Sequence, residues 1–232
     1  MANHGGKRLL RIDLGRTKYY DAWILQKKLV DLRFNNKIPD CLLFTEHDPV
    51  ITRGRGTNKN NLLVSPADLR AKHIDLVDVE RGGDITFHGP GQAVMYPIID
   101  LNLWGRDLHN YIRSLENAVI ETLREFGLEA STKKGLTGVW VTNHKLAAIG
   151  IAVSRWIAYH GIALNVTTDL DYFKYINPCG ITQFPVGSIQ SETGKKYELS
   201  TVFNQLAAKF AGMFFYDLEK AKIEKVLEKV GV

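Results

Sequence analysis

Only two cysteines, Cys41 and Cys179, occur in the 232 residues. No disulfide framework can therefore hold this chain together, and a reducing, cytoplasmic setting is expected. The seven histidines include no His-Glu-x-x-His spacing, and the cysteines form no Cys-x-x-Cys. No recognisable metal site follows from such a pattern. Long apolar runs are also missing. The stretch Leu9–Leu14 is broken by Arg11 and Asp13, so it is expected to be neither a signal peptide nor a membrane span. There is no block of like charge, no internal repeat and no low-complexity segment.

What is present suits a folded globular domain. Hydrophobic residues make up 45% and charged residues 24%, which is enough to bury a core without covalent staples. The net charge is +5 and the pI is about 9.1, with basic and acidic residues interspersed. A solvated mixed surface explains this most simply. An acidic protein partner comes next, and nucleic acid last.

Periodicity predicts strands at Leu9–Leu14, Cys41–Phe44, Ile74–Val79, Ala93–Leu101, Val139–Val141, Leu146–Val153 and Trp156–Val166. Helices are predicted over Thr17–Asn36, Asp107–Gly127, Leu199–Met213 and Asp217–Val230. Ile51–Asn61 reads as a loop. Strands come in runs, which favours an α+β fold with helices on a mixed or antiparallel sheet. A single domain is expected over 1–232, in which the helices from about 199 onward can form a small subdomain.

The densest signal is Arg81-Gly82-Gly83-Asp84-Ile85-Thr86-Phe87-His88-Gly89-Pro90-Gly91-Gln92. Four glycines and one proline in this segment force turns and leave backbone N–H groups open. It is neither a P-loop nor a dinucleotide fingerprint, because no Gly-Lys-Ser/Thr follows and the glycine spacing is wrong. A plain hairpin about Gly-Pro-Gly is one reading. A binding site is the other, favoured by the polar Arg81, Thr86, His88 and Gln92.

Cys179 lies between Pro178 and Gly180, a context for a turn and not for a core. Cys41, beside Leu42 and Leu43, reads as structural. A cysteine can split acyl transfer from a thioester to an amine into two steps. A cation beside the sulfur favours the reactive thiolate. Lys145, at the start of an apolar strand, is a candidate cation, although by itself it also reads as a surface lysine. A Cys–His hydrolase with His88 or His160 as base is an alternative. His160 otherwise fixes the turn before Gly161.

The glycine-rich segment resembles the signature of the lipoyl(octanoyl) transferases. So do Glu46-His47-Asp48-Pro49-Val50, Thr52-Arg53-Gly54, Gly138-Val139-Trp140, Lys145-Leu146-Ala147-Ala148-Ile149-Gly150, His160-Gly161-Ile162-Ala163-Leu164-Asn165 and Pro178-Cys179-Gly180. The matches run in order over roughly residues 10–205. ATP-dependent lipoate ligases carry two adjacent arginines before the glycines, and this chain has one. The resemblance implies the fold of the biotin and lipoate protein ligase catalytic domains. It implies Cys179 as nucleophile with Lys145 as its partner, and no ATP, metal or other cofactor. It also implies an octanoyl tunnel bounded by Arg81, Gly82, Gly83, Asp84, Ile85, Thr86, Phe87 and His88, by Ala148, Ile149 and Gly150, and by Gly161, Ile162 and Ala163. In this reading His88 lines the pocket and is not the base. The implied donor is octanoyl-acyl carrier protein. The implied acceptors are the lipoyl domains of 2-oxoacid dehydrogenases and the glycine cleavage H protein, with no nucleic acid or membrane involved. An ATP-dependent lipoate ligase and a non-catalytic lipoyl-domain binding module stay open as alternatives.

Overall fold

The computed structural model describes residues 7–181 and 183–231. From the N-terminus, β1 (Lys7–Thr17), α1 (Tyr19–Phe34) and β2 (Asp40–His47) lead into a small excursion. This comprises β3 (Val50–Arg53), α2 (Pro66–Ala71), β4 (Asp75–Asp78) and β5 (Ile85–His88). The chain returns through β6 (Gln92–Asp100) and crosses by α3 (Leu108–Arg124) to β7 (Ala130–Ser131), β8 (Val139–Val141), β9 (His144–Ser154) and β10 (Ile157–Asn165). It ends in α4 (Ile189–Thr193), α5 (Leu199–Met213), β11 (Tyr216–Ala221) and α6 (Ile223–Glu228).

Eight strands form one mixed sheet in the order β11-β1-β2-β6-β10-β9-β8-β7, and β4-β3-β5 form a second. β1 runs parallel to both β2 and β11, and the pairs from β2 through β7 are antiparallel. This is the α+β arrangement that the run of strands predicts. Period-2 alternation divides the core between the two faces. Leu42 and Phe44 of β2 pack with Leu115, Val119, Leu206 and Phe210 of α3 and α5. Cys41 and Leu43 pack with Ala22, Leu29 and Val30 of α1. Burial raises the Cys41 thiol well above its ordinary value, so this cysteine is inert packing, as its apolar context predicts.

A buried ionic hub ties these layers together. Arg33 of α1 donates to Asp40 at 2.6 Å and to Asp100 at 3.1 Å, and Tyr216 of β11 donates its hydroxyl to Asp40. Burying a guanidinium is tolerable here because several donors find acceptors.

Three sequence expectations are corrected. Ile51–Asn61 is not loop throughout, because Val50–Arg53 pairs with Asp75–Asp78 and with Ile85–His88. The Gly-Pro-Gly turn does not close a hairpin. It carries the chain from β5 in the small sheet to β6 in the large one. The segment from Asp217 onward is not one helix, because Tyr216–Ala221 extends the sheet along Lys7–Ile12. Free N–H and C=O groups on the β1 edge need partners, and a local helical pattern gives no sign of an edge some 200 residues earlier.

Candidate active site

β9 brings Lys145 to the site. Its side chain is 5% exposed, and its Nζ lies 3.3 Å from Cys179 Sγ. The two residues are 34 positions apart in sequence. They meet because the chain after the cysteine zips back along β9. Lys145 N donates to Pro185 O at 2.8 Å, and Gly187 N donates to Lys145 O at 3.0 Å. Cys179 itself sits in a tight turn, Pro178–Gly180, with φ +56°. A non-glycine residue in that region is uncommon and is held there by its surroundings.

The lysine lies in a made-to-measure slot. A Cβ on Gly138 would come within 2.6 Å of Lys145 Cε, so only glycine leaves the stem its room. Trp140 lies opposite Lys145 across the β8–β9 pair, and the ammonium sits 5.1 Å from its ring centroid. Such a placement is attractive for a cation. Among the described residues no carboxylate pairs with Lys145 within salt-bridge distance, and its ammonium donates to the Cys179 sulfur. Glu116, fully buried on α3, accepts from Gly138 N at 2.9 Å and supports the slot from behind.

A narrow cavity of about 40 Å³ opens on one side of Cys179. Most of the expected wall lines it. Arg81, Gly82, Gly83 and Asp84 form one side, Thr86 and His88 another, and Ala148–Gly150 and Gly161–Ala163 complete it. Two residues of the expected set do not. The alternation of β5 sends Ile85 and Phe87 away from the cavity into a separate apolar cluster with Leu69 and Phe173. Gly161 has a physical reason to be glycine, since a Cβ there would collide with Met95 O and Pro97. Of the backbone N–H groups that the glycine-rich segment is expected to leave open, that of Gly82 is instead donated to Ile151 O at 2.8 Å.

Sequence reading missed Tyr19, Tyr96 and the placement of His160 in this wall. Tyr19 opens α1 and Tyr96 lies within β6, so both read as core. His160 does not fix a turn. It lies inside β10 at φ +56°, opposite the break in β6 pairing around Pro97. Gln26 of α1 reaches its backbone, accepting from His160 N at 2.9 Å.

Burial biases the histidines around the cavity toward the neutral form. Gln92 donates from Nε2 to Phe87 O and to Asn165 Oδ1, so its Oε1 must accept from His88 Nδ1 at 2.8 Å. Burial, with the neighbouring His47, pushes His88 well below its ordinary value. His47 places Nδ1 3.2 Å from Thr17 O and Nε2 2.7 Å from the Tyr96 hydroxyl. Burial pushes it down to about 4 and His160 down to about 3. None of these rings is paired with Cys179 Sγ, which argues against a Cys–His arrangement.

The chain matches the lipoyl protein ligase A/B catalytic domain over residues 18–211. It is 40% identical to an octanoyltransferase of Desulforamulus reducens over 225 residues, which is 97% of this chain and 99% of that relative. The chain belongs to the octanoyltransferase family. The fold of this octanoyltransferase is shared more widely. A bi-partite lipoate protein ligase from Thermoplasma acidophilum superposes with a TM-score of 0.72 at 19% identity, over 98% of this chain and 91% of that one. Biotin protein ligase from Aquifex aeolicus gives 0.52 at 13% identity, over 90% and 69% of the two chains. No described helix of the octanoyltransferase is long and apolar enough to cross a membrane.

Proposed function

We propose that the protein carries an octanoyl group from octanoyl-acyl carrier protein, through a thioester on Cys179, to the lysine of lipoyl domains. The observation that carries this reading is the Lys145 ammonium 3.3 Å from the Cys179 sulfur beside a cavity walled by small residues. At that distance the ammonium offers an N–H to the sulfur that is to act as nucleophile. The thiolate attacks the donor carbonyl and the C–S bond to the carrier breaks. The departing carrier thiolate takes a proton from Lys145, which leaves an acyl-enzyme and a neutral amine. The acceptor lysine, as free amine, then attacks the second thioester. Lys145 removes its surplus proton, the amide forms, and the Cys179 thiolate leaves beside a restored ammonium. Acceptors are the lipoyl domains of 2-oxoacid dehydrogenases and the glycine cleavage H protein. The whole chain acts as one catalytic domain in the cytoplasm.

The test is intact-mass analysis after incubation with octanoyl-acyl carrier protein and no nucleotide. An octanoyl adduct that maps to Cys179 and is released by hydroxylamine is the expected result. Transfer that needs ATP and proceeds without this adduct would select a lipoate ligase, and acceptor binding with no transfer would select a binding module.

Small residues along the cavity, Ala148, Gly150, Gly161 and Ala163, leave space for an alkyl chain. Burying about six methylenes contributes roughly 5 kcal/mol. Octanoyl donors should therefore outcompete palmitoyl donors in a mixed assay, by at least about tenfold. Equal use of both would show that the cavity does not measure the chain.

The +5 charge suits acidic carrier proteins. Association with octanoyl-acyl carrier protein should slow by about tenfold or more between 20 and 300 mM salt, roughly as steered encounters do. A flat salt response in stopped-flow binding would remove electrostatic steering and leave the chemistry untouched.

A further inference from the structure

Asn61 ties the strained turn that carries Cys179 to two other segments of the chain. This residue ends the short helical turn Lys59–Asn61 in the loop after β3. Its carbonyl accepts from Asn177 N at 2.8 Å, and its Oδ1 accepts from Asn177 Nδ2 at 3.4 Å. Its Nδ2 donates to Asp84 Oδ2. The other oxygen of Asp84 accepts from Ile85 N at 2.7 Å, so this carboxylate is occupied on both sides by the protein. The neighbouring chain is zipped as well. Leu63 N donates to Tyr175 O at 2.9 Å, and Leu62 bridges Ile176. Gly180 completes the fit, since a Cβ there would stand 3.0 Å from Asp84 Oδ2 and 3.3 Å from Asn61 Nδ2.

Three segments thus converge on one amide: the loop after β3, the glycine-rich loop at Asp84, and the cysteine turn. We infer that Asn61 is a positioning residue, which locks the Cys179 turn to the acyl-binding loop so that the sulfur stays against Lys145. Asp84 belongs to the same lock and does not bind substrate through its carboxylate. The inference rests on the reading of Cys179 as nucleophile. The physical reason is that Cys179 and Gly180 both have positive φ, +56° and +66°. A turn in that conformation relaxes unless its ends are tied, and a displacement of about 1 Å from the reacting geometry costs roughly 10²-fold in rate.

An inverted hydrogen bond tests it. Asn61→Asp removes the donor and sets two carboxylates face to face. Adding Asp84→Asn restores the bond with donor and acceptor exchanged, while the new amide oxygen still accepts from Ile85 N. Single-turnover acylation by octanoyl-acyl carrier protein at pH 8 is the first readout. N61D should acylate at least about tenfold more slowly with the donor KM within twofold of the parent. The N61D/D84N protein should acylate at least about threefold faster than N61D. The Asn177 amide should exchange with deuterium at least about tenfold faster in N61D and return toward the parent rate in the double variant. An N61D protein that acylates and exchanges like the parent overturns the proposal. So does a folded double variant that recovers neither property. If N61D does not fold, Asn61→Ala, which removes the donor without adding a charge, is judged by the same two readouts, and an N61A protein that acylates and exchanges like the parent overturns the proposal. Should the parent form no adduct at Cys179, the catalytic reading fails, and the Asn177 exchange still judges the lock.

Discussion

Cys179→Ala is expected to abolish the octanoyl adduct and to lower overall transfer by on the order of 10³-fold or more, as loss of an enzyme nucleophile does. The variants at Lys145 divide its two tasks. Lys145→Ala removes both the ammonium beside the sulfur and the base proposed to take the acceptor proton, an expected loss of roughly 10²–10⁴-fold. Lys145→Arg keeps a cation beside the sulfur but cannot become a neutral base at ordinary pH. Acyl-enzyme should then form and accumulate without passing to the lipoyl domain. Quench-flow mass spectrometry reads both steps. Brisk turnover by K145R would show that the acceptor's proton leaves by another route, and a persistent adduct in C179A would move the nucleophile elsewhere. The slot around the lysine bears on how these variants are made. Gly138 and Trp140 shape it closely, so folding should be checked by thermal melts before any rate is compared.

The second large effect is a loss of stability in mild acid. His47 and His160 are buried neutral, pushed down to about 4 and about 3, against about 6.5 in an unfolded chain. Below pH 6.5 the unfolded state binds protons that the folded state refuses. Stability is therefore fully present above pH 6.5 and falls as pH drops toward 4. Each ring contributes at most about 1.4 kcal/mol per pH unit. Between pH 6.5 and 4.5 the two together cost on the order of 5 kcal/mol, a large part of an ordinary domain's ~5–15 kcal/mol. His88, lowered by burial beside His47, adds in the same direction. Urea unfolding at half-unit pH steps checks this. A stability that stays level from 6.5 to 4.5 would mean that these rings take up protons in the folded protein. Their location ties stability to the candidate site, because His88 and His160 line the cavity beside Cys179 and His47 is paired with the Tyr96 hydroxyl in the same wall.

Much of the site was legible because its residues sit in short, unusual strings. Pro178-Cys179-Gly180 reads as a turn, and the turn is there. Cys41, among leucines, reads as core, and it is fully buried. Alternation along β5 was available in the sequence too. It would have excluded Ile85 and Phe87 from the cavity, since Thr86 and His88 face it. Other features left no local trace. Tyr19 and Tyr96 look like any buried aromatic until the helix and strand that carry them are set side by side. Asn61 looks like a loop residue until Asn177, 116 positions later, lies across it. The helical pattern after Asp217 failed for a related reason. Its charged residues suit a helix, and only the open edge of β1 makes a strand the better partner.

By itself, the order of residues determined the class of fold and the two faces of the central strands, and its resemblance to a family singled out Cys179 and Lys145 as candidates. The first two depend on period and turn chemistry, which are properties of neighbours in the chain. Only the folded protein decided that the ammonium and the sulfur meet, what walls the cavity, and what ties down the turn. Those contacts join segments tens to more than a hundred residues apart, and nothing in local propensity specifies which distant backbone a free hydrogen-bonding edge or a buried polar side chain will find.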